Sequence, residues 1–295
     1  GPDDEGREYF QNCFLGFRRL AIVDLSTDGH QPMYSNTKNE CITFNGEIYG
    51  YRDLKKEITD YPFQSNTDTE VILSLYQKNG SELPQKLNGM FSFAIWDEQK
   101  QQLFCARDRF GEKPFYYAIG KNGEFIFASE IKAILATDLL DSELNDEAVH
   151  HFLRHMYVDS QQSIYKNIKV LPPAHQLIYK DGTIEISQYW NFPEEALHIS
   201  EEEAVEKFRE LVEKSVEKQL IADVKVGAFL SGGLDSGTLV ALSSEKNQNL
   251  TTLGFQYEGD WDEMPDARTI AKKYNTDHKE VALQNADIPK TLVEV

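Results

Sequence analysis

The feature that most limits what this chain can become is a change of hydrophobic period near Asn191-Phe192-Pro193. Before it, apolar residues recur at every second position in short runs rich in aromatic and branched side chains, at 91–96, 103–107, 115–119 and 124–128. A period of two is what a half-buried strand needs, because successive side chains point to opposite faces. Turn signals at 98–100 and 120–123 separate these runs, so 90–129 reads as successive antiparallel hairpins. Asp181-Gly182, between the runs 175–180 and 183–189, is a two-residue hairpin turn. Helices are fewer here; the clearest helical spacing is at 68–78, with Val71, Ile72, Leu75 and Tyr76 on one side, followed by 146–157.

After the change, Ser200 and Glu203 form a capping box that opens a long amphipathic helix. Its apolar stripe is Val205, Phe208, Leu211, Val212, Val216 and Leu220, and Glu203/Lys207 and Glu210/Lys214 stand four residues apart as ion pairs. Strands at 226–230, 252–257 and 279–283 then alternate with helices at 237–245 and 267–274. Strands that alternate with helices predict a parallel, doubly wound sheet. The chain therefore reads as two domains, an antiparallel α+β domain over 1–192 and an α/β domain over 193–295, and 295 residues suffice for two cores.

A formal net charge of -19 would repel a phosphate backbone over most of the surface, which argues against sequence-independent binding of nucleic acid. Cys13, Cys41 and Cys105 are too few and too scattered for a disulfide framework or paired metal ligation, and a reducing cytoplasm suits them. Cys13 and Cys41 lie in apolar runs and read as small core residues. No run approaches the ~18 apolar residues of a membrane span, and no basic-then-apolar leader opens the chain. The chain starts at Gly1 rather than Met, and its last residues, 291–295, read as the middle of an element rather than a finished terminus, so it is expected to be incomplete at both ends.

Ser231-Gly232-Gly233-Leu234-Asp235-Ser236 follows a buried strand and opens a helix, where ligands bind beyond the carboxyl ends of parallel strands. Two glycines let backbone approach a phosphate, the helix N–H groups and the Ser231 and Ser236 hydroxyls can donate to it, and Asp235 can hold Mg²⁺. A tight turn is the plainer reading of the glycine pair. The whole string is not the GxxxxGK[ST] loop; it resembles the pyrophosphate-binding loop of the ATP pyrophosphatases.

Three segments of the first domain stand out with it: Phe17-Arg18-Arg19-Leu20-Ala21-Ile22-Val23-Asp24, Phe44-Asn45-Gly46-Glu47-Ile48-Tyr49 and Asn66-Thr67-Asp68-Thr69-Glu70. Joined to Gly1-Pro2-Asp3-Asp4-Glu5-Gly6, Gly29-His30-Gln31-Pro32-Met33 and Arg107-Asp108-Arg109-Phe110-Gly111, they resemble the class II glutamine amidotransferase domain of asparagine synthetases. The resemblance runs in order along essentially the whole chain. It implies an N-terminal-nucleophile sandwich, two antiparallel sheets between helices, and behind it the first half of an ATP pyrophosphatase domain.

By motif position Arg19 would clamp the α-carboxylate of glutamine, Glu47 and Asp68 would hold its ammonium, and Asn45 with the Gly46 N–H would form the oxyanion hole. Taken singly, each is equally a solvated charge or a turn asparagine, and Asp68 could instead cap the helix that follows it. Ser231 to Ser236 would take the ATP phosphates. Phe229 and Phe255 would border the adenine, or serve as plain core strand residues. The family's nucleophile is an N-terminal cysteine, a place none of the three cysteines occupies, so it and the first strands are expected to precede Gly1.

The implied reaction is synthesis of asparagine from aspartate, with glutamine as ammonia source, ATP and Mg²⁺, through a β-aspartyl-adenylate that releases AMP and pyrophosphate. A cytoplasmic enzyme with small-molecule partners follows, without nucleic acid or membrane, and a homodimer is compatible with it. The rivals are an amidotransferase for another carboxylate, a cyclising relative of the β-lactam synthetase type, and a non-catalytic sensor of glutamine or ATP. His151 and His155 have metal-ligand spacing but no acidic third ligand, Glu201 to Glu203 suit a helix first turn, and Trp96, Trp190 and Trp261 read as core or interdomain residues.

Overall fold

A computed structural model describes residues 1–159, 161–247, 249–256 and 262–282. Two compact units divide the chain, Gly1–Ala196 and Leu197–Val295.

The first unit opens with the hairpin β1 (Asp4–Tyr9) and β2 (Phe14–Arg19), followed by β3 (Met33–Tyr34), β4 (Glu40–Ile48) and the helices α1 (Tyr51–Glu57), α2 (Asp68–Asn79) and α3 (Leu83–Lys86). Strands β5 (Gly89–Asp97), β6 (Gln102–Arg107), β7 (Tyr116–Ile119) and β8 (Phe125–Ala128) come next, then α4 (Ile131–Leu135), α5 (Asp146–His155), β9 (Ile168–Val170), β10 (His175–Lys180) and β11 (Thr183–Gln188). One antiparallel sheet has the order β11-β10-β6-β5-β4-β3, and a smaller antiparallel sheet has the order β8-β7-β9.

The period of two sorts the side chains of the large sheet between two layers. Cys41, Ala94, Trp96, Leu103, Cys105 and Leu177 face a core shared with Phe115, Tyr117 and Leu171 of the small sheet and its flanks. The alternate residues Ile42, Phe44, Phe93, Ile95 and Phe104 are also buried, on the face where α2 lies; Tyr76 of α2 stacks on Phe104 at 5.4 Å. Ile134 of α4 closes the outer face of the small sheet against Ala118 and Ile168. The layers are therefore helix, sheet, sheet, helix, as the sequence suggests.

Two of the expected hairpins form, β5/β6 and β7/β8, but they belong to different sheets: β6 pairs with β10 and β7 with β9. The cause is the segment between them. Arg107 donates to the carbonyls of Lys113 (2.7 Å), Gly111 (2.7 Å) and Leu171 (2.8 Å), and fully buried Asp108 accepts from the N–H groups of Phe91, Phe110, Glu112 and Lys113 at 3.0–3.1 Å. These charged hydrogen bonds hold the chain in a compact crossing from one sheet to the other, where a turn would have kept it in the same sheet. At the β10/β11 turn Asp181 and Gly182 both have positive φ, 48° and 77°, as a two-residue hairpin requires.

The second unit contains α6 (Glu201–Gln219), β12 (Gly227–Phe229), α7 (Leu234–Lys246), β13 (Thr251–Gln256), α8 (Met264–Tyr274) and β14 (Asp277–Ala282). Its strands are parallel in the order β12-β13-β14, over a core of Leu230, Val240, Leu250, Met264, Ala267 and Ala271. The capping box of α6 is present, and it takes the Glu203 carboxylate to the Ser200 N–H (3.1 Å) rather than to Lys207. The Glu210–Lys214 pair forms at 2.5 Å. Within the apolar stripe Val216 is buried, whereas Val205, Phe208 and Leu211 are exposed. Positions 257, 261 and 283, expected at two strand ends and at Trp261, lie outside the described residues.

Candidate functional site

A cleft of about 1010 Å³ in the first unit is lined by Arg19, Asn45, Gly46, Glu47 and Asp68, so all five residues singled out for one pocket border one space. Arg19 ends β2 and is buried. Its guanidinium donates to the carbonyls of Ser26 (2.9 Å), Val23 (3.2 Å) and Asp24. Three of its five N–H groups are thus committed to a loop that fixes its direction, and two remain for a ligand. Gly29 makes room for it: a Cβ there would stand 1.9 Å from Arg19 Nη2.

The donor expected to face an oxyanion can be placed by the alternation of β4. Beyond its short pairing with β3 at Cys41 and Ile42, the outer edge of β4 is open. The N–H groups of Phe44, Gly46 and Ile48 share that edge because N–H direction has the same period of two. Phe44 N–H donates to Gln31 Oε1 (2.7 Å) and Ile48 N–H to Asp68 Oδ2 (2.9 Å). Gly46, which carries the middle donor, lines the cleft. Only glycine suits this position: φ is +154°, and a Cβ would lie 2.1 Å from the Met90 carbonyl oxygen. Asn45 and Glu47 point to the other face of the strand, into the cleft, and Asn45 Nδ2 donates to Ser129 Oγ at 3.3 Å.

Asp68 is not the cap of α2. Thr67 holds that position and accepts from Glu70 N–H, while Asp68 is the first helical residue and turns its carboxylate back to β4. Burial pushes the Asp68 carboxyl up to about 7, with the charge of Glu47 adding to the rise and the N–H of Ile48 opposing it. Burial also raises Glu47, against the opposing charge of Lys113, which lines the same cleft. Two carboxylates held close in a desolvated wall are a receptor for a cation: an ammonium restores the ionised form of both.

None of the three thiols suits nucleophilic attack. Burial pushes Cys13 up to about 12 and raises Cys41 and Cys105 as well, and the last two lie in the sheet interior. Cys13 lies in the turn between β1 and β2 rather than within a strand, at the edge of that core.

In the second unit the Ser231–Ser236 loop joins β12 to α7, three residues of it already helical. Ser231 Oγ accepts from Gly233 N–H (3.3 Å) and lies 3.1 Å from Ser236 Oγ, which accepts from Ser231 N–H (3.3 Å). Gly232 has φ +90°, and a Cβ on it would stand 2.8 Å from the Glu263 carbonyl oxygen. No side chain caps α7, so the first-turn N–H groups of Leu234, Asp235 and Ser236 are open to an anion. The exposed Asp235 carboxylate stands on that first turn, a donor of the kind Mg²⁺ takes together with phosphate oxygens. Phe229 and Phe255 are 5.9 Å apart with rings 27° from parallel, and they are 70% and 38% exposed among the described residues.

The rings of His151 and His155 lie 4.6 Å apart, tilted by 37°, and the described residues contain no group of three ligands able to hold a metal ion. No helix among them is long and apolar enough to cross a membrane. Trp96 is buried, and Trp190 packs with Phe110 and Phe192. Gln31, Lys113 and Ser129 line the first cleft without having been singled out for it. Gln31 and Ser129 come from distant segments whose meeting no local pattern announces, and Lys113 follows the Arg107–Gly111 motif by only two residues.

The model of a glutamine amidotransferase domain family matches residues 1–190, and that of asparagine synthase matches residues 207–295. A putative glutamine-hydrolysing asparagine synthetase 2 of Methanocaldococcus jannaschii is 37% identical over 316 residues, covering 99% of this chain and 61% of its own length. Glutamine-hydrolysing asparagine synthetase 1 of Bacillus subtilis is 35% identical, covering 88% of this chain and 41% of its own. Amidase chry2 of Gibberella zeae is 35% identical, covering 86% and 38%. The chain thus spans about two fifths to three fifths of the length of these relatives.

Proposed function

The chain belongs to the glutamine amidotransferase family and carries an asparagine synthase domain behind it, as in the glutamine-hydrolysing asparagine synthetases, and on that premise we propose that it serves ATP-dependent asparagine synthesis with glutamine as nitrogen donor. The observation that carries the reading is one cleft offering a cation, two desolvated carboxylates and a strand-edge N–H, the complement of glutamine's carboxylate, ammonium and amide.

In the first unit Arg19 binds the α-carboxylate with the N–H groups left by the 23–26 loop, and Asp68 and Glu47 take the ammonium. The amide carbonyl then lies against Gly46 N–H and Asn45 Nδ2, which stabilise the oxyanion that develops when the amide is attacked. The attacking group is a cysteine other than Cys13, Cys41 and Cys105, whose thiols stay protonated. In the second unit, taken to have the ATP pyrophosphatase fold, the first-turn N–H groups of α7 and the Ser231 and Ser236 hydroxyls hold the phosphates, and Phe229 and Phe255 offer the adenine an apolar border. Asp235 would hold Mg²⁺, which supplies charge neutralisation at the phosphates. The β-carboxylate of aspartate displaces pyrophosphate at the α-phosphorus, and ammonia then displaces AMP from the acyl-adenylate. Adenylation is needed because a bare carboxylate oxygen is too poor a leaving group.

The similarity to a fungal amidase over the same stretch favours, as second reading, an amidotransferase that acts on another carboxylate. The two part in one assay. The intact protein is given MgATP, ammonium and either aspartate or no acceptor; AMP and pyrophosphate equal to the asparagine formed support the first reading. ADP and phosphate, or nucleotide turnover indifferent to aspartate, would reject it.

A further inference from the structure

We propose that Gln31 is a positioning residue of the glutamine pocket, whose amide ties the open edge of β4 to the start of α2 and so sets the separation between Gly46 N–H and the Asp68 carboxylate. The proposal deepens the reading above and rests on it. Gln31 is 5% exposed, and both ends of its amide are engaged: Oε1 accepts from Phe44 N–H at 2.7 Å and Nε2 donates to Thr69 Oγ1 at 3.3 Å. Thr69 is itself buried and is the second residue of α2, next to Asp68.

Two clips therefore join the same two elements. One is the Gln31 amide at position 44, and the other is Asp68 Oδ2 on Ile48 N–H at position 48. Gly46, with the donor assigned to the oxyanion, lies midway between them. The ligand would span the same interval, its ammonium at Asp68 and its amide oxygen at Gly46, so the interval has to match the length of its side chain. Asp68 cannot hold that interval alone, because one of its oxygens serves the strand while the carboxylate must also answer the ammonium. With Gln31 in place, α2 is fixed at two points and cannot pivot about the Asp68–Ile48 contact. Gln31 touches no reacting atom in this arrangement; it acts through Asp68 and Gly46.

The test uses the intact protein and three variants, Gln31→Met, Thr69→Val and Asp68→Asn, each assayed with glutamine and with ammonium as nitrogen source. Gln31→Met keeps the volume and removes both hydrogen bonds; it is expected to lower kcat/KM for glutamine roughly tenfold to a hundredfold. Thr69→Val breaks one end of the bridge with little change of shape and is expected to cost roughly threefold to tenfold. Ammonium-dependent synthesis should stay within twofold of the wild type in both, which also reports that the variants fold. In the Asp68→Asn background, Gln31→Met should have little further effect, because the interval no longer ends on a charge. Discrimination against asparagine, one methylene shorter, should weaken in Gln31→Met. Glutamine kinetics unchanged in both Gln31→Met and Thr69→Val, losses equal with both nitrogen sources, or effects additive with Asp68→Asn would each overturn the positioning role. A wild-type protein that does not use glutamine would instead sink the pocket assignment, and the inference with it.

Discussion

Replacing Asp68 by asparagine should destroy the use of glutamine while leaving the fold and the use of ammonium intact. Thr67 caps α2, so the change removes no cap, and an asparagine oxygen can still accept from Ile48 N–H. The carboxyl is raised from an ordinary 3.8 to about 7, chiefly by burial. A raised carboxyl in the folded state means that its ionised form costs stability above about 7, and that the cost fades as the pH falls toward the ordinary value. The gap of about 3 units corresponds to an upper limit of roughly 4 kcal/mol, which an ammonium bound at the carboxylate would recover in part. Losing that partner should therefore cost about 2–4 kcal/mol, or on the order of 30-fold to 1000-fold in kcat/KM for glutamine. The assay is asparagine formation at pH 8, where wild-type Asp68 is ionised, with each nitrogen source in turn and urea unfolding alongside. Glutamine kinetics within twofold of the wild type would refute the role of Asp68 as ammonium partner. An equal loss with ammonium, or a variant less stable than the wild type at pH 8, would refute the argument that the ionised carboxylate is kept at a cost for the ligand.

Three further outcomes follow from the same geometry. The KM for glutamine should rise as the pH falls below about 7, by up to about tenfold per unit, because protonated Asp68 no longer answers an ammonium; a KM flat from pH 8 to 6 would contradict this. Gly46→Ala should separate β4 from β5, where the new Cβ meets the Met90 carbonyl at 2.1 Å, and should lower stability by roughly 1–3 kcal/mol in urea unfolding; an unchanged midpoint would show that the strand tolerates a side chain there. Asp235→Ala should abolish pyrophosphate release with either nitrogen source, since metal at the phosphates precedes the choice of nitrogen; near-normal release would remove Asp235 from the metal.

What could be read from residues alone was set by range. Alternation in 91–96 and 103–107, the Asp181-Gly182 turn and the Ser200/Glu203 box act over a few positions, and the elements they announce are present. The crossing between β6 and β7 was not legible, because Asp108 gathers N–H groups from both its own loop and Phe91 of β5. Asp68 offered two local readings, cap or ligand, and the choice depended on β4, twenty positions away in sequence. Helix α7 begins three residues before the 237–245 run because Leu234, Asp235 and Ser236, read as loop for their chemistry, already turn as helix. In α6 the periodicity showed which face is apolar without showing what it meets: Val205, Phe208 and Leu211 are exposed among the described residues. Gln31 lay in a segment recognised by resemblance, yet its work is visible only when Phe44 and Thr69 stand on either side of it.

The proposed use of glutamine nitrogen for asparagine can be tested directly. The intact protein is incubated with glutamine labelled with ¹⁵N at the amide, aspartate, MgATP and an excess of unlabelled ammonium. The expected result is asparagine labelled in its side-chain amide well beyond the share that mixing with the free ammonium would give, with total asparagine, labelled and unlabelled, equal to the AMP and pyrophosphate formed. Label found only as free ammonium, or asparagine formed with ADP and phosphate, would contradict it.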